Sequence, residues 1–208
     1  MKKNWVIKAQ GDEDLIASLS SELTITKPLA QLLTQRGISN FAEAKAFFRP
    51  DLENLHDPFL MKDMDRAVSR LEEAINNQEK VIVYGDYDVD GTTSVAMVYS
   101  FLKPRIENIE YYIPDRYSEG YGISPQSIDY AVENGYTLFV ALDCGIKAVE
   151  KIARAKERGI DFIICDHHNP DDTVPPAAAV LDPKQSDCPY PYKELSGCGV
   201  GFKLLQAY

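Results

Sequence analysis

VIVYGDYDVDGTTS, residues 81–94, opens with four residues of strong strand character, Val81 to Tyr84, runs into Gly85, and then places aspartates at positions 86, 88 and 90 before Gly91. Extended backbone puts residues two apart on one face, so the expectation is three carboxylates pointing the same way at the end of a buried strand. Like charges a few ångströms apart raise one another's pKa unless a cation or a basic group offsets them. Asp86, Asp88 and Asp90 are therefore read as candidate metal ligands rather than as a solvated acidic turn.

D-x-D-x-D-G is also how a calcium-binding EF-hand loop begins, but such a loop carries a bidentate Glu at its twelfth position and is entered from a helix. Here the twelfth position is Met97 and the approach is a strand. The EF-hand reading fails on both counts.

Working outward, four more short apolar runs resemble Val81–Tyr84: Ile109–Ile113, Leu138–Leu142, Phe162–Cys165 and Ala179–Leu181. Helical signals separate them. Met61–Gln78 leads into the first strand with Met64, Ala67, Val68, Leu71, Ala74 and Ile75 on one face; later come Thr93–Leu102, Pro125–Asn134 with Ser124 as cap and Gly135 as stop, Ala148–Arg158, and Gly199–Tyr208. Continuously apolar strands alternating with helices predict an α/β fold, a parallel sheet with helices on both faces. Before it, Pro28–Arg36 and Asn40–Phe48 read as a small helical N-terminal element, giving a division into residues 1–60 and 61–208.

The 208 residues are 45% hydrophobic and 26% charged, an ordinary globular balance. No apolar run approaches the roughly 18 residues a membrane span needs, and no apolar segment follows Lys2 and Lys3. Cys144, Cys165, Cys188 and Cys198 form no C-x-x-C pair and read as free thiols. The expectation is a soluble, non-secreted, cytoplasmic protein with no membrane partner. A net charge of −10 argues against a chain-wide electrostatic glove for nucleic acid, though a catalytic groove needs only local positive charge.

The strand register gathers the chemistry. Asp86, Asp88 and Asp90 follow the first strand, Asp143 the third, Asp166, His167 and His168 the fourth, and Asp182 the fifth. Ligands of open α/β sheets bind outside the carboxyl ends of the strands, so these groups are expected to converge on one crevice. A mixed Asp and His donor set favours Mn²⁺, with Mg²⁺ as the harder alternative.

DYDVDG, then DCG, then DHH, in this order, resembles the DHH phosphoesterase superfamily. PLAQLLTQRGI, FRPDLENLHDPFLMKDMDRAV, YIPDRYSEGYGIS and SGCGVGFKL make the resemblance closest to the RecJ family of single-strand-specific 5′-to-3′ DNA exonucleases. That resemblance implies a DHH-type catalytic domain, a phosphodiesterase of DNA repair and recombination, and single-stranded DNA as partner. It also implies Asp88, Asp90, Asp143 and His167 as ligands of two Mn²⁺ ions, with Asp143 between them and Asp86 either a ligand or a support to one. His168 is expected on a substrate phosphate, Asp166 as the group orienting an imidazole, and the catalytic set reads Asp143, His168 and Arg116. Two such ions, about 3.5 to 4 Å apart, activate a water and neutralise charge on the phosphate.

Arg116 is either a phosphate contact or a solvated loop arginine; Tyr117 and Tyr121 either stack on bases or pack on their own domain. Gly197–Gly201 could present backbone N–H groups to phosphate. RecJ proteins are longer, with a fourth acidic motif, a DHHA1 domain and an OB-type domain that do not fit here, so the chain reads as an N-terminal fragment whose metal site lacks one carboxylate. Two alternatives stand beside the exonuclease: a DHH phosphoesterase of short oligonucleotides or cyclic dinucleotides, against which Thr24–Arg66 speaks, and a non-catalytic scaffold, which has no need of so many clustered charges.

Overall fold

The computed structural model describes residues 4–208, so Lys2 and Lys3 lie outside the described residues. The chain divides into two compact units between Leu55 and His56. In the first, α1 (Glu13–Leu23), α2 (Lys27–Thr34) and α3 (Phe41–Phe48) pack around Ile16, Leu19, Ala30, Leu33, Ile38 and Ala44. Pro28 and Asn40 start α2 and α3 as their types dictate; the Asn40 side chain accepts a hydrogen bond from the Glu43 N–H at 2.9 Å. α1 is a helix the sequence reading leaves out, although Asp12 marks it by accepting from the N–H groups of Asp14 and Leu15.

The second unit runs α4 (Met64–Asn76), β1 (Val81–Gly85), α5 (Val89–Leu102), β2 (Ile109–Tyr112), α6 (Pro125–Asn134), β3 (Leu138–Leu142), α7 (Val149–Glu157), β4 (Asp161–Cys165), β5 (Ala179–Leu181) and α8 (Gly197–Ala207). All five strands are parallel, in the order β2-β1-β3-β4-β5. The expected α/β sheet is present with helices on both faces. Val81, Val83, Val140, Leu142 and Ile163 pack with residues of α4, α5 and α8, while Ile82, Tyr84, Phe139, Ala141 and Ile164 pack with residues of α6 and α7. This alternation is the two-residue period of a strand buried on both sides.

Two features of the sheet place the site. The chain order reverses between β1 and β3, which are neighbours although β2 intervenes in sequence; such a switch point opens a crevice at the carboxyl ends of the strands. The register pairs Gly85 with Leu142, Leu142 with Cys165, and Cys165 with Leu181. One residue past these partners stand Asp86, Asp143, Asp166 and Asp182, so four aspartates leave four adjacent strands at the same level, with strands about 4.8 Å apart.

The opposite rim is held by charge of both signs. Arg70, on α4, donates to both Glu79 carboxylate oxygens at 2.8 and 3.1 Å and, through Nε, to Asp161 at 2.8 Å, while the Thr137 hydroxyl also donates to Glu79. This cluster ties α4 to the amino ends of three strands. Removing the guanidinium leaves two carboxylates with reduced solvation and no counter-charge; Arg70→Met is expected to destabilise the chain by about 2 kcal/mol, read as a lower urea midpoint at unchanged m-value.

Candidate metal centre

The extended geometry expected for Asp86–Asp90 does not form. The strand ends at Gly85 and α5 begins at Val89, four residues before the expected Thr93, because Asp88 is a good helix cap: its Oδ1 accepts from the Gly91 N–H at 2.9 Å. Gly91 makes the turn sterically feasible, since a Cβ there would lie 2.3 Å from the Asp86 carbonyl oxygen. The three carboxylates thus arise from a strand end, a cap and a first helical turn, and they have different surroundings.

Asp86 is 1% exposed, and its Oδ1 is buried without a hydrogen-bond partner. Burial raises its pKa, and the neighbouring Asp88 charge adds to the rise. Asp88 is exposed and commits one oxygen to the cap. Asp90 accepts from the N–H groups of Gly197 at 2.7 Å and Cys198 at 2.8 Å, the first residues of α8. Those N–H groups therefore bind a carboxylate of the chain itself, which corrects the expectation that Gly197–Gly201 presents them to phosphate. A negative side chain at a helix N-terminus is also favoured by the helix dipole.

Asp143 closes β3 with a left-handed backbone, φ 58°, while its N–H continues the sheet ladder to the Cys165 carbonyl. Its carboxylate is buried, and its pKa is pushed up to about 7 by burial first and then by the charges of Asp90, Asp88 and Asp166. Gly197 packs directly on it: a Cβ at that position would stand 2.4 Å from Asp143 Oδ1. His167 Nε2 lies 3.1 Å from the same oxygen and 3.7 Å from Asp90 Oδ2. Yet Asp143 Oδ1 has no hydrogen-bond partner among the described residues. The nitrogen and the oxygen are close enough for both to reach one cation.

Asp166 has a different task. Oδ1 accepts from the His167 and His168 N–H groups and lies 2.7 Å from His168 Nδ1, and Oδ2 accepts from the Ile146 N–H. Burial pushes its pKa up, but these hydrogen bonds outweigh it and hold the carboxyl below its usual range. Its hydrogen bond in turn raises the pKa of His168. His168 Nε2, the other ring nitrogen, shares a hydrogen bond with the Tyr121 hydroxyl at 3.3 Å.

Asp143, His167 and His168 each offer a ligand atom within 4.8 Å of the other two, so His168 stands inside the donor cluster as well as beside it. Asp90 joins through His167. Asp86 and Asp88 flank this cluster without entering it, and Asp182, buried at the end of β5 with Oδ2 unpartnered, has its pKa raised to about 7, chiefly by burial. Arg116 is exposed, with its guanidinium 5.3 Å from the centroid of Tyr87, and its charge lowers the Asp86 pKa. Tyr87 meets Tyr121 edge-on, and Tyr121 meets His168 likewise; Tyr117 is almost fully solvated. The donor set of buried carboxylate oxygens and imidazoles fits a divalent cation of intermediate hardness.

Residues 80–208 match the family model described as DHH family, N-terminal domain. The chain belongs to the DHH family. The single-stranded-DNA-specific exonuclease RecJ of Bacillus subtilis is 42% identical over 206 residues, 99% of this chain and 26% of that protein, and RecJ of Thermus thermophilus is 34% identical over 74% of the chain and 23% of its own length. The chain thus spans about a quarter of the length of these curated relatives. Among solved structures, RecJ of Thermus thermophilus in complex with Mn²⁺ superposes with a TM-score of 0.74 at 26% identity, covering 96% of this chain and 28% of that one. Exonuclease RecJ bound to manganese gives 0.63 at 33% identity, covering 71% and 37%. Both of these solved RecJ structures are described as holding manganese.

Two outcomes follow for the centre. If a cation is held here, its binding displaces the Asp143 proton, so Mn²⁺ affinity should rise with pH up to about pH 7 and change less steeply above it, and Asp143→Asn should weaken binding at least about tenfold at pH 8 in calorimetric titrations. Gly197→Ala should push Asp143 aside and weaken Mn²⁺ binding at least about tenfold, while circular dichroism shows the helices and sheet retained.

Proposed function

We propose that this chain is the catalytic DHH portion of a 5′-to-3′ exonuclease of single-stranded DNA, working with Mn²⁺ in DNA repair and recombination in the cytoplasm. The observation that carries the reading is the meeting of Asp90, Asp143, His167 and His168 at the switch point of the sheet, with carboxylate oxygens of Asp86 and Asp143 buried and unpaired. The RecJ relatives, named for single-stranded-DNA-specific exonuclease activity, support the substrate; direction and biological role rest on the motif resemblance alone. No helix among the described residues is long and apolar enough to cross a membrane.

In this reading Asp90, Asp143 and His167 hold the first ion, Asp88 at the flank of the cluster turns its uncommitted oxygen to a second, and Asp86 completes the acidic wall. The bound cation supplies charge neutralisation at a phosphodiester and acidification of a water. His168, fixed through Nδ1 by Asp166, turns Nε2 toward a phosphate oxygen and donates to it when protonated. Arg116 offers a second positive group on the rim beside Asp86. Cys144 and Cys165 are fully buried, and burial raises both thiols, so neither serves as a nucleophile.

A protein of the relatives' full length containing this chain should release nucleotides from 5′-labelled single-stranded DNA in Mn²⁺, spare the duplex, and stop on chelation. Asp143→Ala should lower the rate at least about 10³-fold; a variant that still cleaves at the parent rate would sink the assignment.

A further inference from the structure

Lys203, on α8, is 2% exposed, and among the described residues it has no ion-pair partner. Its ammonium donates instead to two neutral oxygens, the His56 carbonyl and Gln206 Oε1, both at 2.7 Å, and lies 5.8 Å from the centroid of the Tyr190 ring. Asp57 is the acid whose charge reaches it, and that carboxylate is committed to the Phe59 N–H. Burial lowers the Lys203 pKa. A buried ammonium is costly, and a methionine would fill a similar volume without that cost. Packing alone therefore does not account for a lysine here. What the ammonium adds is direction, because short hydrogen bonds fasten one point of the helix to one point of the chain where apolar contacts would let it slide.

The point of attachment is itself braced. His56 leads into a short turn, Pro58–Leu60, that packs on α4 as well as on α8, and the His56 ring meets Tyr190 edge-on. Six residues back along α8, about 9 Å at the helical rise of about 1.5 Å per residue, the Gly197 and Cys198 N–H groups hold Asp90, and Gly197 packs on Asp143. Between these ends the helix lies close on the sheet and on α5: a Cβ at Gly201 would stand 3.2 Å from Leu142 and 3.4 Å from Val98. α8 is thus a rod seated in a groove, with the metal centre at its first turn and Lys203 fastened further along.

We propose that Lys203 is a positioning residue of the metal centre: by fastening α8 to the His56 carbonyl it sets the height at which the first turn of the helix meets Asp90 and Asp143. The proposal rests on the reading of that cluster as the metal site. Lys203 touches neither cation nor substrate and acts only through α8.

Lys203→Met keeps the apolar stem and removes the donors. In amide spectra of the metal-free chain it should move the Gly197 and Cys198 resonances, whereas a purely local role would disturb only the amides around position 203. In calorimetric titrations it should weaken Mn²⁺ binding at least about tenfold, the loss typical of removing a support behind metal ligands. Arg70→Met, which weakens the opposite rim, is the comparator: it should lower the urea midpoint and leave both amides and the Mn²⁺ affinity at their parent values. A Lys203→Met chain with parent amide positions at Gly197 and Cys198, or with parent Mn²⁺ affinity, overturns the proposal. So does an Arg70→Met chain that loses as much Mn²⁺ affinity, since the loss then follows stability and not position. If Lys203→Met does not fold, Gln206→Met decides: Gln206 is exposed and supplies one of the two acceptors, so its loss should still move the Gly197 and Cys198 resonances, and resonances left in place overturn the proposal. Failure of the parent chain to bind Mn²⁺ defeats the metal assignment, whereas the amide positions test the brace without any metal.

Discussion

The register of the parallel sheet is the constraint on which everything else depends. By pairing Gly85, Leu142, Cys165 and Leu181 in one line, it delivers Asp86, Asp143, Asp166 and Asp182 side by side at the edge of a dry core. Four carboxylates at the spacing of neighbouring strands cannot all be charged and unpaired. The fold resolves the conflict differently at each position. Asp166 is surrounded by backbone and imidazole donors and stays ionised; Asp182 takes one backbone N–H from Lys184 and, like Asp143, is pushed toward its neutral form; Asp86, Asp143 and Asp182 each keep one bare oxygen. Charge is thus offset by hydrogen bonds at the β4 end, and bare oxygens remain at the β1, β3 and β5 ends, the first two flanking the point where the chain order reverses.

β1, β3, β4 and β5 were legible because each holds a short apolar run with a carboxylate directly after it, and a strand buried on both faces needs no finer pattern, whereas the edge strand β2, IEYY, carries exposed residues. The order of DYDVDG, DCG and DHH along those strand ends was legible for the same reason, and the family match over residues 80–208 agrees with it. What local pattern could not supply was the path between Gly85 and Gly91. An aspartate after a strand serves equally as the next extended residue or as a helix cap, and the choice was made by Asp88 reaching Gly91 and by Gly91 packing on the Asp86 backbone. The partners of Asp90 were beyond reach, since Gly197 and Cys198 lie more than a hundred residues away and a glycine-rich turn names no ligand. Gly197 against Asp143 is a contact of the same kind: a missing side chain that matters only once two distant segments meet.

The arrangement also divides labour between the two adjacent histidines. His167 reaches inward to Asp143 and Asp90, whereas His168 is tethered backwards through Nδ1 and leaves Nε2 facing Tyr121. Asp166 makes that division possible, because one of its oxygens gathers both histidine N–H groups while the other fixes Ile146. The same carboxylate therefore sets the imidazole at the centre and the start of the loop that leads into α7.

The grip of Asp90 on α8 has a consequence for how the molecule comes into being. Two hydrogen bonds join residues separated by 107 and 108 positions, an interval that contains β2, β3, β4 and β5. Contacts of such separation carry a large loop-closure entropy, which pairing of the strands between them reduces. Until Gly197 arrives, Asp143 lacks its wall and Asp90 its anchor. A cation held there, in the reading proposed above, would stabilise only the state in which α8 has docked on Asp90 and Asp143.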